Sequence, residues 1–300
     1  MPTSPLAVFL LVLTGLAVGF VAGLFGVGGG FLLTPILLYA FHVPVSVAVG
    51  SSLCQQVGTS LSAFLRYRHL KRGEPRVDWV MMGGGLLGVD AGGRVLAWVS
   101  RLDPVELPGG RTIGLASLLL SGLFAVLLFS VAAFVGSEAS RAARAGDDAD
   151  RVPAGALTRW VRVPPFVALP NAGLPAVSVP LLSGIGFLLG FLSGVMGVGG
   201  GVLLLPVLIY GVGMSARVAA GTGVLLLFVT VLWGTAGAAW RGDVSLPLAL
   251  TLLAGSSIGA QWGASVSNRL PNRTLRRVFA ILVLAAGGAV LANLLREWFG

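Results

Sequence analysis

The sequence predicts an all-α integral membrane protein made of two inverted-topology repeats. Three observations support this fold class: an apolar composition, an internal repeat, and basic residues that change loops between the two copies. Of the 300 residues, 56% are hydrophobic and 10% are charged, with a mean hydropathy of +0.93. An ordinary globular domain has about a quarter of its residues charged, so we expect this chain to lie in a lipid bilayer.

The apolar segments form two groups with the same order of long and short members. In the first group they run over Leu6 to Phe25, Phe31 to Phe41, Val45 to Leu65, Trp79 to Ser100 and Thr112 to Val135. In the second they run over Val179 to Met196, Val202 to Tyr210, Val218 to Trp240, Leu246 to Val266 and Val278 to Leu294. We therefore divide the chain into a first transmembrane repeat (1–135), a cytoplasmic linker (136–178) and a second transmembrane repeat (179–300). The linker is rich in Ala, Gly and Pro and mixed in charge, which predicts flexibility.

An internal repeat is visible residue by residue. GFVAGLFGVGGGFLLTPILLY, residues 19–39, matches GFLSGVMGVGGGVLLLPVLIY, residues 190–210, at 13 of 21 positions without a gap. The offset between the copies is 171 residues, and at the same offset Gly88 and Gly92 match Gly259 and Gly263.

The basic residues indicate that the two copies face opposite ways. The connection 66–76 carries five basic residues, while its counterpart around Arg241 carries one. The next pair reverses this, with two in 101–111 and four in 269–277. Because basic loops favour the cytoplasm, equivalent loops lie on opposite sides, as in an inverted repeat. We expect a multi-pass protein of the bacterial inner membrane with both termini outside.

This topology requires an odd number of crossings in each half. Either each half has five spans, or the first two segments form a glycine-broken helical hairpin that is followed by about three further transmembrane helices. Phe31 to Phe41 would be only about 16 Å long as a helix, which favours the hairpin.

The two glycine clusters are the leading candidates for a binding site. Gly28, Gly29 and Gly30, like Gly199, Gly200 and Gly201, interrupt a helix and expose backbone groups that hydrocarbon cannot satisfy. The helix that starts after each break directs free N–H groups and its positive dipole end towards an anion. Matching broken segments are typical of the substrate site of a transporter. The alternative is that these glycines only permit close helix packing.

Neutral polar residues follow the short segments and are candidates for lining the same site. They are Ser51, Ser52, Gln55 and Gln56 in the first half and Thr222 in the second. Hydroxyl and amide donors can bind an oxyanion and still release it. They can equally hydrogen-bond to neighbouring helices, which is the alternative.

Asp90 and Arg94 form the one charged pair within a predicted span, four residues apart on one helix face. Charge at that depth is costly and often functional, so we consider a role in ion coupling. Mutual neutralisation is the alternative, and the counterparts Gln261 and Ser265 are uncharged.

The residue pattern predicts neither an enzyme nor a metalloprotein. No nucleophile and base converge, and His42 and His69 lie apart from carboxylates and thiols, so we expect no catalytic residue, metal site or cofactor. The net charge of +9 comes from loop arginines without interleaved aromatics, so we expect no nucleic-acid partner. The expected partners are a small anion and the lipid bilayer, with the oligomeric state left open, a homo-oligomer included.

The duplicated motif G-F-x-x-G-x-x-G-V-G-G-G-x-L-L-x-P-x-L-x-Y resembles that of the TauE/SafE sulfite exporter family, and the resemblance covers nearly the whole chain. It implies a permease for small sulfur-containing anions such as sulfite, sulfoacetate or other organosulfonates, without ATP hydrolysis by the chain. The motif falls on Gly23, Gly26, Gly28 to Gly30 and Pro35, and on Gly194, Gly197, Gly199 to Gly201 and Pro206.

The leading hypothesis for function is thus secondary transport, with export as the direction that the resemblance favours. An anion channel without coupled transport and a membrane-embedded enzyme are the alternatives. The sequence leaves open the anion, the direction and the coupling ion.

Overall fold

The computed structural model describes residues 5–25, 28–70, 73–106, 112–145, 155–161, 163–267, 269–270 and 272–299. The first half contains α1 (Pro5–Phe25), α2 (Gly30–Tyr39), α3 (Val45–Leu70), α4 (Pro75–Val99) and α5 (Leu115–Ala145). A short α6 (Ala156–Trp160) follows. The second half contains α7 (Val179–Met196), α8 (Gly201–Pro206), α9 (Ala216–Gly221), α10 (Val224–Trp240), α11 (Leu246–Ser267) and α12 (Asn272–Phe299). A π-helical segment, Val207–Val212, continues α8.

The helical, membrane-spanning class predicted from composition is confirmed. Within the described residues, four helical stretches are long and apolar enough to cross a bilayer: Pro5–Phe25, Leu115–Phe134, Val179–Met196 and Val278–Arg296. Large apolar side chains also face outward along the helices, among them Leu6, Leu87, Val126 and Ile281, each about two-thirds exposed. An apolar exterior of this kind fits a multi-pass protein surrounded by lipid.

The C-terminal end of the predicted linker forms regular secondary structure, whereas the sequence predicts a flexible segment there. Strands β3 (Phe166–Leu169) and β4 (Leu174–Ser178) pair as an antiparallel hairpin, whereas β1 (Val105–Glu106) and β2 (Thr112–Ile113) pair after α4. Leu169 and Val177 are buried, and the backbone N–H of Asn171 donates to Oε2 of Glu74 at 2.9 Å. The hairpin is therefore anchored on the start of α4, and α5 continues past the predicted boundary at residue 135. Residues 146–154 lie outside the described part.

Two helix pairs hold the halves together through glycine. Along α1 and α11, Gly15, Gly19 and Gly23 lie against the backbone of Leu252, Ser256 and Ala260. The numbers rise together, so the two helices run parallel. The pair α4 and α7 is built the same way, with Gly84, Gly88 and Gly92 of α4 and Gly186, Gly190 and Gly194 of α7. Small residues let backbones approach closely where lipid supplies no hydrophobic force between helices.

These contacts repeat at the sequence offset of 171 residues. The backbone N–H of Ser245 donates to Oγ of Ser51 at 3.0 Å, and the equivalent N–H of Glu74 donates to Oγ1 of Thr222 at 2.9 Å. Gly19 lies against Ser256, and its counterpart Gly190 lies against Gly85, the counterpart of Ser256. The sequence repeat is thus a repeat of tertiary contacts, each of which joins one half to the other.

Helices α3 and α10, which are equivalent in the repeat, cross at the centre. Phe64 stacks on Phe228 with ring centroids 6.0 Å apart, while Leu53 lies beside Gly234 and Gly50 beside Ala238. Residue numbers rise along α3 as they fall along α10. The two helices therefore run antiparallel.

The glycine contacts predict a sharp difference between two glycines of α7. A Cβ at Gly190 would collide with the backbone oxygen of Gly85, whereas Gly184 is exposed with no atom within 4 Å of its Cβ position. We expect Gly190→Ala to destabilise the protein by about 1–3 kcal/mol. Gly184→Ala should be neutral or slightly stabilising, because alanine favours a helix by about 1 kcal/mol over glycine. Thermal unfolding in detergent compares them, and equal melting of the two variants would contradict this packing.

Candidate functional site

The first glycine break turns the chain back along α1. Gly28 has a φ of +75°, which glycine adopts without strain, and Gly29 packs against Val18 of α1. Helix α2 then begins at Gly30 with no side-chain cap on its first N–H groups. Gly26, another glycine of the motif, lies outside the described residues.

The second break lies at the equivalent positions, although its Gly200 differs in conformation from the counterpart Gly29, whose φ is −84°. Gly197, Gly199 and Gly200 have φ values of +70°, +72° and +74°, and Gly200 lies beside Leu189, the counterpart of Val18. Gly201 begins α8, again without a side-chain cap. The predicted interruption of the helix is therefore present at equivalent positions of both halves.

The two breaks meet at Gln56 on α3. Its Nε2 donates to the carbonyl oxygen of Gly197 at 2.7 Å and to that of Ser52 at 3.1 Å. Oγ of Ser52 also donates to the Gly197 oxygen, at 3.2 Å. Gly30 packs against both Gln56 and that oxygen, so a side chain at residue 30 would not fit. Gln56 is 2% exposed, which places this junction deep inside the protein.

The junction is polar but neutral. Oε1 of Gln56 points at Gly28 and Gly199 and has no hydrogen-bond partner within the described structure. Oγ1 of Thr34, which lies beside Gly197, and Oγ of Ser193 are likewise buried without a partner there. The groups that hydrogen-bond to the Gln56 side chain are all uncharged.

The other predicted lining residues are buried but point to neighbouring helices. Nε2 of Gln55 donates to Oγ of Ser256 at 2.7 Å. Ser51 and Thr222 make the equivalent bonds to the loops before α11 and α4 described above. The structure thus brings Ser52 and Gln56 together with the glycines, and it places Ser51, Gln55 and Thr222 in contacts between helices. A role of these three in binding an anion stays a prediction.

Asp90 and Arg94 are apart from the junction. Nη2 of Arg94 lies 2.8 Å from Oδ2 of Asp90, and the two side chains are 76% and 36% exposed. The pair lies on the outer face of α4, an arrangement that fits mutual neutralisation. Ion coupling by this pair stays a prediction, without support from its position.

Sequence reasoning missed a buried carboxylate near the start of α4. Asp78 is 6% exposed, and its Oδ1 accepts the backbone N–H of Gly223 at 2.6 Å. Gly223, with a φ of +84°, separates α9 from α10, so Asp78 caps the first turn of α10 from another helix. An acidic residue after Pro75 is typical of an exposed helix start, which is why the sequence gives no sign of this burial.

A charged pair at the end of α10 was also missed as a site feature. Nε of Arg241 lies 3.3 Å from Oδ2 of Asp243, and both side chains are about a quarter exposed. They line a small cavity that reaches Gly93, Gly194 and Val49. A second small cavity is lined by residues that include Gly199, Gly200 and Thr230. Across the described residues, no cluster of three or more His, Cys, Asp or Glu is placed to hold a metal ion.

The cap by Asp78 predicts a contrast between two aspartates of α4. Asp78→Ala leaves the buried N–H of Gly223 without a partner, which costs about 1–3 kcal/mol. Asp90→Ala removes an exposed ion pair, which changes stability by about 1 kcal/mol at most. Thermal unfolding of both variants in detergent measures the difference. A larger loss from Asp90→Ala would show that the outer pair matters more than the cap.

Comparison with known proteins gives a consistent result. A family model described as Sulfite exporter TauE/SafE matches residues 11–290. The protein YunE of Bacillus subtilis, named a probable membrane transporter protein, is 24% identical over 288 residues, covering 93% of this chain and 95% of its own. MJ0441 of Methanocaldococcus jannaschii, with the same description, is 24% identical over 294 residues, covering 93% of each chain.

A third relative, a probable membrane transporter protein of Haemophilus influenzae, is 27% identical over 298 residues, covering 92% of this chain and 95% of its own. No solved structure matches the chain. The family model covers the two glycine breaks, Gln56 and nearly all of both helix groups. The chain belongs to the TauE/SafE family of membrane transporters.

Proposed function

We propose that this protein is a secondary transporter, in the export direction, of small sulfur-containing anions such as sulfite or organosulfonates. The observation that carries the proposal is the junction at Gln56, where the two glycine breaks that precede uncapped helix starts meet in a buried, neutral and polar environment. The substrate class comes from the description of the family, and the geometry is compatible with it.

The first support is the chemistry of the helix starts. The first N–H groups of a helix have no partner within the helix and carry the positive end of its dipole, so they attract an anion. Helix α2 starts at Gly30, and the helix formed by α8 and its π-helical continuation starts at Gly201. Neutral donors around them bind an anion without holding it permanently, which suits transport.

The second part of the proposal is that the halves are inverted. It is supported by α3 and α10, which are equivalent in the repeat yet run antiparallel, and by contacts that recur at one offset. A two-fold axis that relates antiparallel neighbours lies across them, in the plane of the membrane. Helix α2 has 10 residues, about 15 Å, half the hydrocarbon thickness, which supports a hairpin that enters and returns.

The third part concerns access. The cavity beside Arg241 reaches Gly194, and the other cavity reaches Gly199. Gly197 lies between these two glycines in the chain. In this proposal the bond from Gln56 to Gly197 separates the two cavities, and rocking of the halves opens one side at a time. Arg241 is paired with Asp243 and so neutralises a carboxylate that would otherwise repel anions from this cavity, and the loop charges support a location in a bacterial inner membrane.

Counterflow of labelled sulfite in proteoliposomes tests the function. The wild-type protein should accumulate label transiently against unlabelled sulfite inside, which a carrier does and a channel does not. Gln56→Leu, which copies the equivalent Leu227, should reduce the rate about tenfold or more, whereas Gln261→Leu on the exposed face of α11 should not. If folded wild-type protein shows no counterflow with sulfite, sulfoacetate or taurine, the substrate assignment is wrong.

Arg241 provides a further prediction. Arg241→Gln should reduce the initial rate of sulfite entry at low salt by about tenfold, and added salt should restore it, because Asp243 is left unpaired beside the cavity and repels anions. Arg101→Gln, an exposed arginine beyond the end of α4, is the matched control and should have little effect. Equal salt profiles for the two variants would remove Arg241 from the access route.

A further inference from the structure

The orientation of the Gln56 amide is fixed by its partners. Nε2 faces the carbonyl oxygens of Gly197 and Ser52, at 2.7 and 3.1 Å, and both of these groups can only accept a hydrogen bond. Turning the amide over would place oxygen against oxygen. Oε1 must therefore point the other way, towards Gly28 and Gly199 at the meeting point of the two breaks.

Oε1 of Gln56 is an acceptor in need of a donor. The side chain is 2% exposed, and Oε1 has no hydrogen-bond partner in the described structure. Buried polar atoms almost always have a partner, and an amide oxygen can be satisfied only by an N–H or O–H group. An anion whose oxygens are all bare acceptors cannot supply one.

The other polar groups of the junction suit the remaining oxygens of an anion. Oγ1 of Thr34, beside Gly197, is buried without a partner in the described part, and a hydroxyl can donate. The first N–H groups of α2 are donors as well. The hydrogen bonds of Gln56 and Ser52 involve no charged group, so the junction balances one negative charge more easily than two.

We propose that the transported species is a monoanion that carries its own hydrogen-bond donor, and that Oε1 of Gln56 accepts that hydrogen. Hydrogensulfite and hydroxyl-bearing sulfonates have this chemistry, whereas sulfite and sulfate dianions and simple alkyl sulfonates do not. This inference rests on the proposed function, since it concerns the same site and names the form of the substrate. A water molecule that satisfies Oε1 is the competing explanation.

A matched pair of sulfonates tests the inference in the wild-type protein. 2-Hydroxyethanesulfonate and 1-propanesulfonate are both monoanions of the same heavy-atom count, and only the first has an O–H group. Titration calorimetry on purified protein should give 2-hydroxyethanesulfonate about tenfold higher affinity or more, with sulfate binding more weakly than either. Equal affinity for the two sulfonates overturns the inference.

A variant identifies the atom responsible. Gln56→Met removes the amide oxygen and should abolish the preference for 2-hydroxyethanesulfonate, while Gln261→Met keeps it. Thermal unfolding without ligand checks that both variants are folded. If Gln56→Met is unfolded, the comparison of the two sulfonates in the wild-type protein still tests the inference. A preference that survives in folded Gln56→Met overturns the role of Oε1.

The outcomes separate the two proposals. If sulfite and both sulfonates bind to the wild-type protein with no advantage for the O–H group, only the donor inference fails. If sulfite and the sulfonates all fail to bind, the proposed function fails and the inference fails with it.

Discussion

The structure depends on one constraint: inside a bilayer, each backbone group released by a broken helix must find its partner in the protein. Two backbone groups at the interruptions of the second half are satisfied from a different helix. The Gly197 oxygen receives hydrogen bonds from Ser52 and Gln56 of α3, and the Gly223 N–H is held by Asp78 of α4. These three side chains belong to the first half, and the backbone groups they satisfy belong to the second. The breaks of the second half are therefore stable only when the first half is docked against it.

That docking is made possible by the glycines of the paired helices, α1 with α11 and α4 with α7. Because α1 packs on α11 and α4 on α7, each close contact joins the two halves, and their backbones approach without side chains between them. The same geometry brings Gly30 against Gly197 at the centre. The repeat is nearly symmetric in its packing but not in its polarity, since the counterparts of Gln55 and Gln56 are Leu226 and Leu227. A neutral amide of the first half thus hydrogen-bonds to the second break and packs against the first.

The sequence predicts much of this because the relevant patterns are local. Apolar segment length gives the helices, and runs of three glycines give the breaks at Gly30 and Gly201. What it does not give depends on distant contacts. In the sequence Asp78 looks like an acidic residue at an exposed helix start, and only its contact with α10 shows that it is buried. The folding of residues 166–178 depends on burial of Leu169 against the start of α4. Spacing places Asp90 and Arg94 on one face of α4, but only packing shows that this face points outward.

We propose that the halves are inverted, an arrangement that would bring the two breaks together. Cysteine labelling tests it most directly, because Cys54 is the chain's one cysteine and can be replaced by serine. Pro75 and Leu246, the first residues of α4 and α11, are equivalent in the repeat and both exposed. With a single cysteine at each position in turn, an impermeant thiol reagent applied to intact cells should label position 246 and should reach position 75 only after permeabilisation. Labelling of both positions from the same side would contradict the inverted arrangement.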